Sequence, residues 1–346
     1  MSEPITAGPL SLLTVIVLTG SDPDRAQETL RSLAEQTIAD RMEVLLLTQG
    51  RRVESPPGVP RPPFQFHCQV WTHGSSFGDV RARAVHSCES PFIAFLEDHC
   101  LADPLWAETM VRAFEDDWAA VGGEPHNGNP GIGISDAVEL MNFSQWLPPA
   151  KRGQDDMIVG HNGAYRREVL LGYGPGLAQL LRSDSVLHMK LHADGHKLLV
   201  EPSARFSHAN ENTLASICYG YFKLNQAISA TRAEIFEWST ARRLTRAALW
   251  PLVPLRRTAL LFLHLARNHP RRLGKAVSLV PVMMVAWTAA GLGQTIGCLF
   301  GNGSADQDFL RFEAESMRKL APGGIRPPRP FRLPGEQELS DRAASP

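Results

Sequence analysis

Three consecutive polar residues, Glu97, Asp98 and His99, follow the apolar run Phe92–Leu96 directly. An apolar run of this length is typical of a strand that is buried on both faces of a parallel sheet. In open α/β sheets, ligands bind just beyond the carboxyl ends of the strands. Carboxylate oxygens and an imidazole nitrogen at that position suit a divalent cation such as Mn2+ or Mg2+. The alternative for the same residues is a solvated polar turn after a core strand.

The composition of the chain excludes some classes of protein. Its 346 residues are 43% hydrophobic, which allows one large core or one domain with an appendage. The net charge of -1 gives no general attraction to nucleic acid. Its five cysteines are scattered and include no Cys-x-x-Cys pair, so neither a disulfide framework nor a zinc site is expected. A reducing, cytoplasmic setting fits this pattern.

The residues before the central strand have the pattern of a βαβ unit. Leu12–Leu18 and Met42–Leu47 predict two buried strands, and an amphipathic helix is predicted between them. The open end of such a unit is a candidate nucleotide site, although it is alternatively one α/β unit among many. Farther along, Arg81 and Arg83 lie near the start of a predicted helix, where arginines could contact phosphates or simply face solvent.

Four later segments follow, and the last three add candidate residues. Glu124 to Arg152 contains several glycines, prolines and asparagines and predicts a long loop. A polar turn containing Asn162 and Gly163 then leads into a helix. Asp184 lies where another helix is predicted to begin, so its alternative role is that of a helix cap. His208 follows the last predicted strand of this part of the chain.

The order of these elements resembles the family 2 glycosyltransferases of GT-A fold, over roughly Leu12 to His208. In that family, a strand of the form Phe-Leu-Asp-x-Asp delivers a metal-binding motif, and Phe95-Leu96-Glu97-Asp98-His99 falls on it. A later Glu-Asp pair supplies the catalytic base, and Ser183-Asp184 falls on that pair. A histidine often follows the pair, and His208 occupies that position. The resemblance implies an α/β fold with a mixed, mostly parallel sheet flanked by helices.

The resemblance also implies roles for the candidate residues. Asp184 would be the catalytic base. Metal binding would involve the strand-end residues and the late histidine: Glu97, Asp98, His99 and His208. Nucleotide contacts are expected from Thr19, Gln49 and Arg83. The acceptor would face Asn162 and Gly163.

The chain departs from the family pattern at both nucleotide-binding strands. The first strand ends Leu18-Thr19-Gly20 where Pro-x-Tyr-Asn is common, and the second ends Thr48-Gln49-Gly50 where aspartates are common. Gln49 can donate and accept hydrogen bonds, so it could still contact a base. The metal motif is Glu-x-His, and neutral imidazole is a good ligand for Mn2+. An inactive descendant of the family is an alternative.

The C-terminal part of the chain has a different composition. Ala276 to Gly303 contains no charged residue and is long enough to cross a bilayer, which takes about 20 residues. Pro281 and several glycines make it a poor simple span. A cluster of basic residues before it would keep the catalytic domain cytoplasmic. We expect membrane association, by one span or peripherally; an interfacial hairpin and a buried helix pair are the alternatives.

We therefore expect three parts: a catalytic domain at 1–240, an apolar helical region at 241–321 and a Pro-rich disordered tail at 322–346. The expected activity is transfer of a sugar from a nucleotide-sugar to a lipid-linked or polysaccharide hydroxyl, with inversion and a bound divalent cation. Its expected place is the cytoplasmic face of the membrane. One alternative is an inactive scaffold of a polysaccharide assembly. A nucleotidyltransferase is a less favoured alternative, because such enzymes usually have a basic loop after the first strand and Thr19-Gly20-Ser21-Asp22 lacks a basic residue.

Overall fold

The computed structural model describes residues 11–315 and 324–328, so most of the predicted tail at 322–346 lies outside the described residues. The described part contains one nine-stranded sheet. Its strands are β1 Leu13–Leu18, β2 Met42–Gln49, β3 Gln65–Trp71, β4 Phe92–Glu97, β5 Cys100–Ala102, β6 Ala120–Asn127, β7 Gly153–Asp155, β8 Gly163–Arg166 and β9 Leu198–His208.

The sheet is mixed, with most strands in one direction. The spatial order is β3-β2-β1-β4-β8-β6-β9-β5, and β7 pairs with β9. The run β3-β2-β1-β4 is parallel, as is the pair of β6 with β9, whereas β5, β7 and β8 are antiparallel to their neighbours. Six of nine strands therefore share a direction, and the expected α/β fold with a mostly parallel sheet is confirmed.

Helices flank this sheet and continue beyond it. They are α1 Gln27–Ala34, α2 Phe77–Ser87, α3 Trp106–Ala113, α4 Gly133–Phe143, α5 Arg167–Leu171, α6 Leu177–Leu180, α7 Asp184–Ala193, α8 Leu214–Ile235, α9 Thr240–Ala248, α10 Leu252–Asn268, α11 Leu273–Phe300 and α12 Ala305–Glu315.

The central strands form because their sequences are apolar on both faces. Every residue of β2 is buried, as are five of the six in β1, and helices cover both sides of the sheet. β4 lies beside β1 with Leu18 opposite Glu97, so the polar ends of the two strands meet at one edge. That edge is where ligands bind in parallel sheets.

The prediction of a loop from Glu124 to Arg152 is wrong. β6 extends to Asn127, and α4 occupies Gly133–Phe143. Ala137, Val138 and Leu140 of α4 are buried against the C-terminal helices, so tertiary packing stabilises a helix that the local glycines and prolines conceal.

The C-terminal helices pack on the sheet domain. Pro270–Phe300 is long and apolar enough to cross a membrane, by length and composition alone. Its helix α11 also packs along α8: an added side chain at Gly293 or Gly297 would meet backbone atoms of Phe222 or Gln226. After α11, helix α12 returns to the sheet, and its Leu310 and Ala314 are buried in the main core.

Candidate active site

The end of β4 and the end of β9 meet through β5. β5 pairs antiparallel with β9, which places Cys100 opposite His208. The backbone NH of Ala209 also donates to the carbonyl of His99. Because β5 begins directly after His99, this pairing brings the polar turn after β4 next to the last residue of β9. Residues more than a hundred positions apart in sequence are thus neighbours.

Three side-chain atoms form a compact triangle at this junction, which we term the acceptor triangle: Glu97 Oε2, His99 Nε2 and His208 Nε2. His208 Nε2 lies 2.9 Å from Glu97 Oε2 and 3.2 Å from His99 Nε2. His99 Nε2 lies 3.5 Å from Glu97 Oε2. Both imidazoles are buried. Ligands bound to one ion at about 2.1 Å are separated by roughly 3.0–3.4 Å, and the three distances are close to that range.

The neighbours of the two imidazoles determine which nitrogen carries the proton. His99 Nδ1 lies 3.0 Å from Asp98 Oδ1, and His208 Nδ1 lies 2.9 Å from Asn210 Oδ1. The amide of Asn210 donates to the carbonyl of Ser135, which fixes its oxygen toward His208. Both Nδ1 atoms are therefore donors in the neutral rings, and both Nε2 lone pairs point into the triangle. Three acceptors facing one another fit a bound cation.

The surroundings of the triangle also favour the protonation states that bind a metal, a neutral His99 and an ionised Glu97. Burial lowers the pKa of His99, which keeps its ring neutral and able to bind a metal. Burial would raise the pKa of Glu97, but the charge of the nearby His161 outweighs it and holds that pKa well below its usual range. The carboxylate is consequently ionised at neutral pH.

Asp98 orients its neighbours. Its Oδ1 contacts both His99 Nδ1 and Arg25 Nη2, the latter at 2.9 Å, and the side chain is 3% exposed. Its Oδ2 is buried without a hydrogen-bond partner among the described residues. Direct metal binding by Asp98 stays a prediction, whereas its contact with His99 supports the metal site indirectly.

Asp184 is the first residue of α7, and Ser183 holds the capping position without a side-chain capping bond. Asp184 Oδ1 lies 2.7 Å from Arg81 Nη1, and its Oδ2 lies 3.6 Å from His161 Nδ1. Burial would raise the pKa of Asp184, but the Arg81 guanidinium outweighs it and holds the pKa well below its usual range. The carboxylate thus has a charged partner on one oxygen and a half-buried imidazole near the other.

His161 connects this carboxylate with the acceptor triangle. Its Nε2 lies 3.9 Å from Glu97 Oε2, on the opposite side of the ring from Asp184. Burial lowers the pKa of His161, but the charges of Glu97 and Asp184 outweigh it and raise that pKa overall. Sequence reasoning missed His161, although it directly precedes Asn162, a predicted site residue.

Asn162 and Gly163 are both buried. The Asn162 Oδ1 accepts a hydrogen bond from the backbone NH of Glu97, so this side chain fixes the end of β4. Gly163 begins β8 and pairs with Gly122 on β6. Contacts of these two residues with an acceptor stay a prediction.

The predicted nucleotide residues lie in different environments. Thr19 is fully buried, and its carbonyl accepts a hydrogen bond from Trp71 Nε1. Gln49 is 5% exposed, and its amide nitrogen lies 2.9 Å from His73 Nδ1. Arg83 is exposed on α2, whereas Arg81 points inward to Asp184. The structure therefore brings Arg81, which sequence reasoning did not select, into the site.

A further residue near the triangle comes from the C-terminal helix. Glu313 of α12, Glu97 and His99 each offer a ligand atom within 4.8 Å of the other two. Glu97, Cys100 and His208 form a second group of this kind. Glu313 lies 216 positions after Glu97 in the sequence, and no motif spacing pointed to it.

Comparison with known proteins finds one matching family model. Residues 14–174 match the family model described as Glycosyl transferase family 2. This similarity to the family 2 glycosyltransferases extends over 161 of the 346 residues. The expectation of a glycosyltransferase is confirmed at this level. The matched range contains β1 to β4 and their polar ends, while Asp184, His208 and Glu313 lie beyond it.

One solved structure with similarity to this glycosyltransferase is the mannosyltransferase PcManGT from Pyrobaculum calidifontis, determined in complex with GDP-Man and Mn2+. The two are 15% identical, the alignment covers 90% of this chain and 89% of that chain, and the TM-score is 0.47. A search of curated proteins finds no match to this sequence.

Proposed function

We propose that this glycosyltransferase transfers a sugar from a nucleotide-sugar to a hydroxyl of a lipid-linked or saccharide acceptor, with inversion and with a bound Mn2+ or Mg2+. The observation that carries the proposal is the acceptor triangle at the end of β4, in a family 2 domain. Glu97, His99 and His208 would hold the cation. Bound there, it would offset the negative charge that develops on the leaving diphosphate.

The protein groups around the triangle support a single displacement. Asp184 Oδ2, which is not paired with Arg81, would accept the proton of the acceptor hydroxyl as its oxygen bonds to the sugar. The bond from that sugar to the diphosphate breaks in the same step. Arg81 holds Asp184 through Oδ1, and His161 lies between Asp184 and Glu97. The base and the triangle are thus fixed relative to each other.

The metal site can be tested by comparing histidines. His99→Ala and His208→Ala should each remove most Mn2+ binding and most Mn2+-dependent release of nucleoside diphosphate from a nucleotide-sugar panel. His192→Ala is the matched control, because this exposed imidazole lies on α7 and, within the described residues, forms an ion pair only with the exposed Asp156. Equal Mn2+ titration curves for wild type and all three variants would contradict the proposed site.

We also propose that the protein binds the cytoplasmic face of a membrane without crossing it. Ten of the fifteen exposed large apolar side chains of the described residues lie in α9, α10 and α11, with Leu255 58% and Val277 60% exposed. Residues 241–305 contain nine arginines and lysines and no acid. Apolar side chains beside basic residues suit an anionic lipid surface. The packing of α11 along α8 supports an interfacial position, because α8 belongs to the sheet domain.

A further inference from the structure

Helix α12 is fixed against the sheet domain by contacts along its length. At its start, the backbone NH of Phe77 donates to Asp306 Oδ1 at 3.0 Å. Two residues later, Lys223 Nζ of α8 lies 2.8 Å from Asp308 Oδ2. Near its end, Ala314 is buried in the main core. The helix therefore has a defined position relative to β1 and β4.

α12 approaches the chain closely just after β1, because Gly20 lies two residues beyond the end of that strand. A side-chain carbon added at Gly20 would lie 2.2 Å from the carbonyl oxygen of Ala314. Arg25 connects the same carbonyl to the turn after β4: Nη1 donates to Ala314 O and Nη2 to Asp98 Oδ1, each at 2.9 Å. The last turn of α12 is thereby held next to the residues that orient His99.

Glu313 precedes Ala314 in this turn, and its side chain is directed to the triangle. A Glu313 carboxylate oxygen lies within 4.8 Å of the ligand atoms of both Glu97 and His99. Within residues 11–315 and 324–328, no hydrogen bond or ion pair to the Glu313 carboxylate is found. Two carboxylates at this distance repel each other unless a cation lies between them.

We propose that Glu313 is the fourth protein ligand of the metal site, so that α12 completes the active site. The inference rests on the proposed function of the acceptor triangle and extends it to a residue outside the family-matched range. Two carboxylates and two imidazoles would neutralise a dication. For an ion with six ligands, they would leave two positions for diphosphate oxygens.

The helix itself provides the matched control for the test. Glu315, two residues after Glu313, is exposed, and its substitution changes the same charge on the same turn. Glu313→Gln, Glu315→Gln and Glu97→Gln are each introduced in the full chain and titrated with Mn2+ alone. Electron paramagnetic resonance measures the free ion. Melting temperatures are recorded without metal and with saturating Mn2+.

We expect Glu313→Gln to weaken Mn2+ binding by at least about tenfold, because a ligand and a negative charge are lost together. The melting temperature without metal should not fall, because a repulsive carboxylate is removed, while the increase caused by Mn2+ should shrink. Glu315→Gln should bind as wild type does. If Glu313→Gln does not fold, Glu313→Ala provides the same comparison.

The outcomes separate this inference from the proposed function. Wild-type binding that is lost in Glu97→Gln and unchanged in Glu313→Gln would overturn the role of Glu313 and leave the triangle standing. Absence of Mn2+ binding in wild type would overturn both. Equal weakening in the Glu313 and Glu315 variants would show a general charge effect and would also overturn the assignment.

Discussion

Replacing Asp184 by asparagine separates two roles of this residue, the proposed base and the partner of Arg81. Asparagine keeps the size of the side chain but cannot accept a proton from a hydroxyl. It also leaves the Arg81 guanidinium, which is 4% exposed and 3.9 Å above the Phe95 ring, without its carboxylate at 2.7 Å. Asp184→Asn should therefore reduce both activity and stability.

The two effects have different expected sizes. Breaking a buried ion pair by removing one partner costs about 3–5 kcal/mol, and we expect the lower end because Asp184 is 16% exposed. Such a loss leaves a domain of ordinary stability, about 5–15 kcal/mol, still folded. Loss of a general base lowers turnover by about 10²–10⁴-fold. The pKa of Asp184 is lower in the folded state than in the unfolded state. The ion pair with Arg81 therefore stabilises the wild-type protein above about pH 4, and this stabilisation is lost as the pH falls toward the lowered pKa.

The control for this experiment is Arg81→Met, which breaks the same pair but retains the carboxylate. Stability is measured by urea unfolding, and turnover is measured below the melting temperatures of both variants. We expect similar losses of stability but at least tenfold higher turnover in Arg81→Met than in Asp184→Asn. Equal turnover in the two variants, or near-normal turnover in Asp184→Asn, would refute the assignment of Asp184 as base.

Two further predictions concern stability and membrane binding. Burial lowers the pKa of His188 to about 4. The unfolded state therefore binds more protons than the folded state below about pH 6.5, and the free energy of unfolding should fall by up to about 3 kcal/mol between pH 6.5 and pH 4. His188→Gln should flatten this dependence in urea unfolding at several pH values; an unchanged slope would exclude His188 as its source. Leu255→Glu should reduce cosedimentation with anionic vesicles, whereas Leu105→Glu, at a site 49% exposed on the sheet domain, should not. Equal effects would contradict docking through α9 to α11.

The fold and the strand that carries the proposed metal ligands have local signals in the sequence. Phe92–Leu96 is apolar throughout, as a strand buried on both faces requires, and the polar triplet after it marks the ligand edge of the sheet. The family resemblance pointed to His208, and it is the last residue of β9 in the same sheet. The contacts of His208 with Glu97 and His99 could not be predicted from one strand alone, since the antiparallel pairing of β5 with β9 determines them.

Which of Arg81 and Arg83 points into the site depends on the face of α2 on which each residue lies. Arg81 lies four residues from Phe77 and from Val85, on the inward face of α2, while Arg83 lies on the same face as Asp79 and Ser87. The four-residue spacing of Arg81 from the apolar Phe77 and Val85 was therefore a signal in the sequence that Arg81 points inward. Glu313 had no such signal, because only the tertiary position of α12 brings it to Glu97.

The position of Glu313 bears on the predicted division of the chain at residue 240. α12 begins five residues after α11 ends, and Gly301 and Gly303 in the connection adopt positive φ values of 79° and 52°. The apolar helices are thus directly connected to the helix that carries Glu313. A boundary at 240 places Leu310 and Ala314 outside the catalytic domain although both are buried in its core. We propose that the catalytic unit includes the return of the chain after its apolar helices, because Gly20 and Arg25 both contact Ala314 of α12.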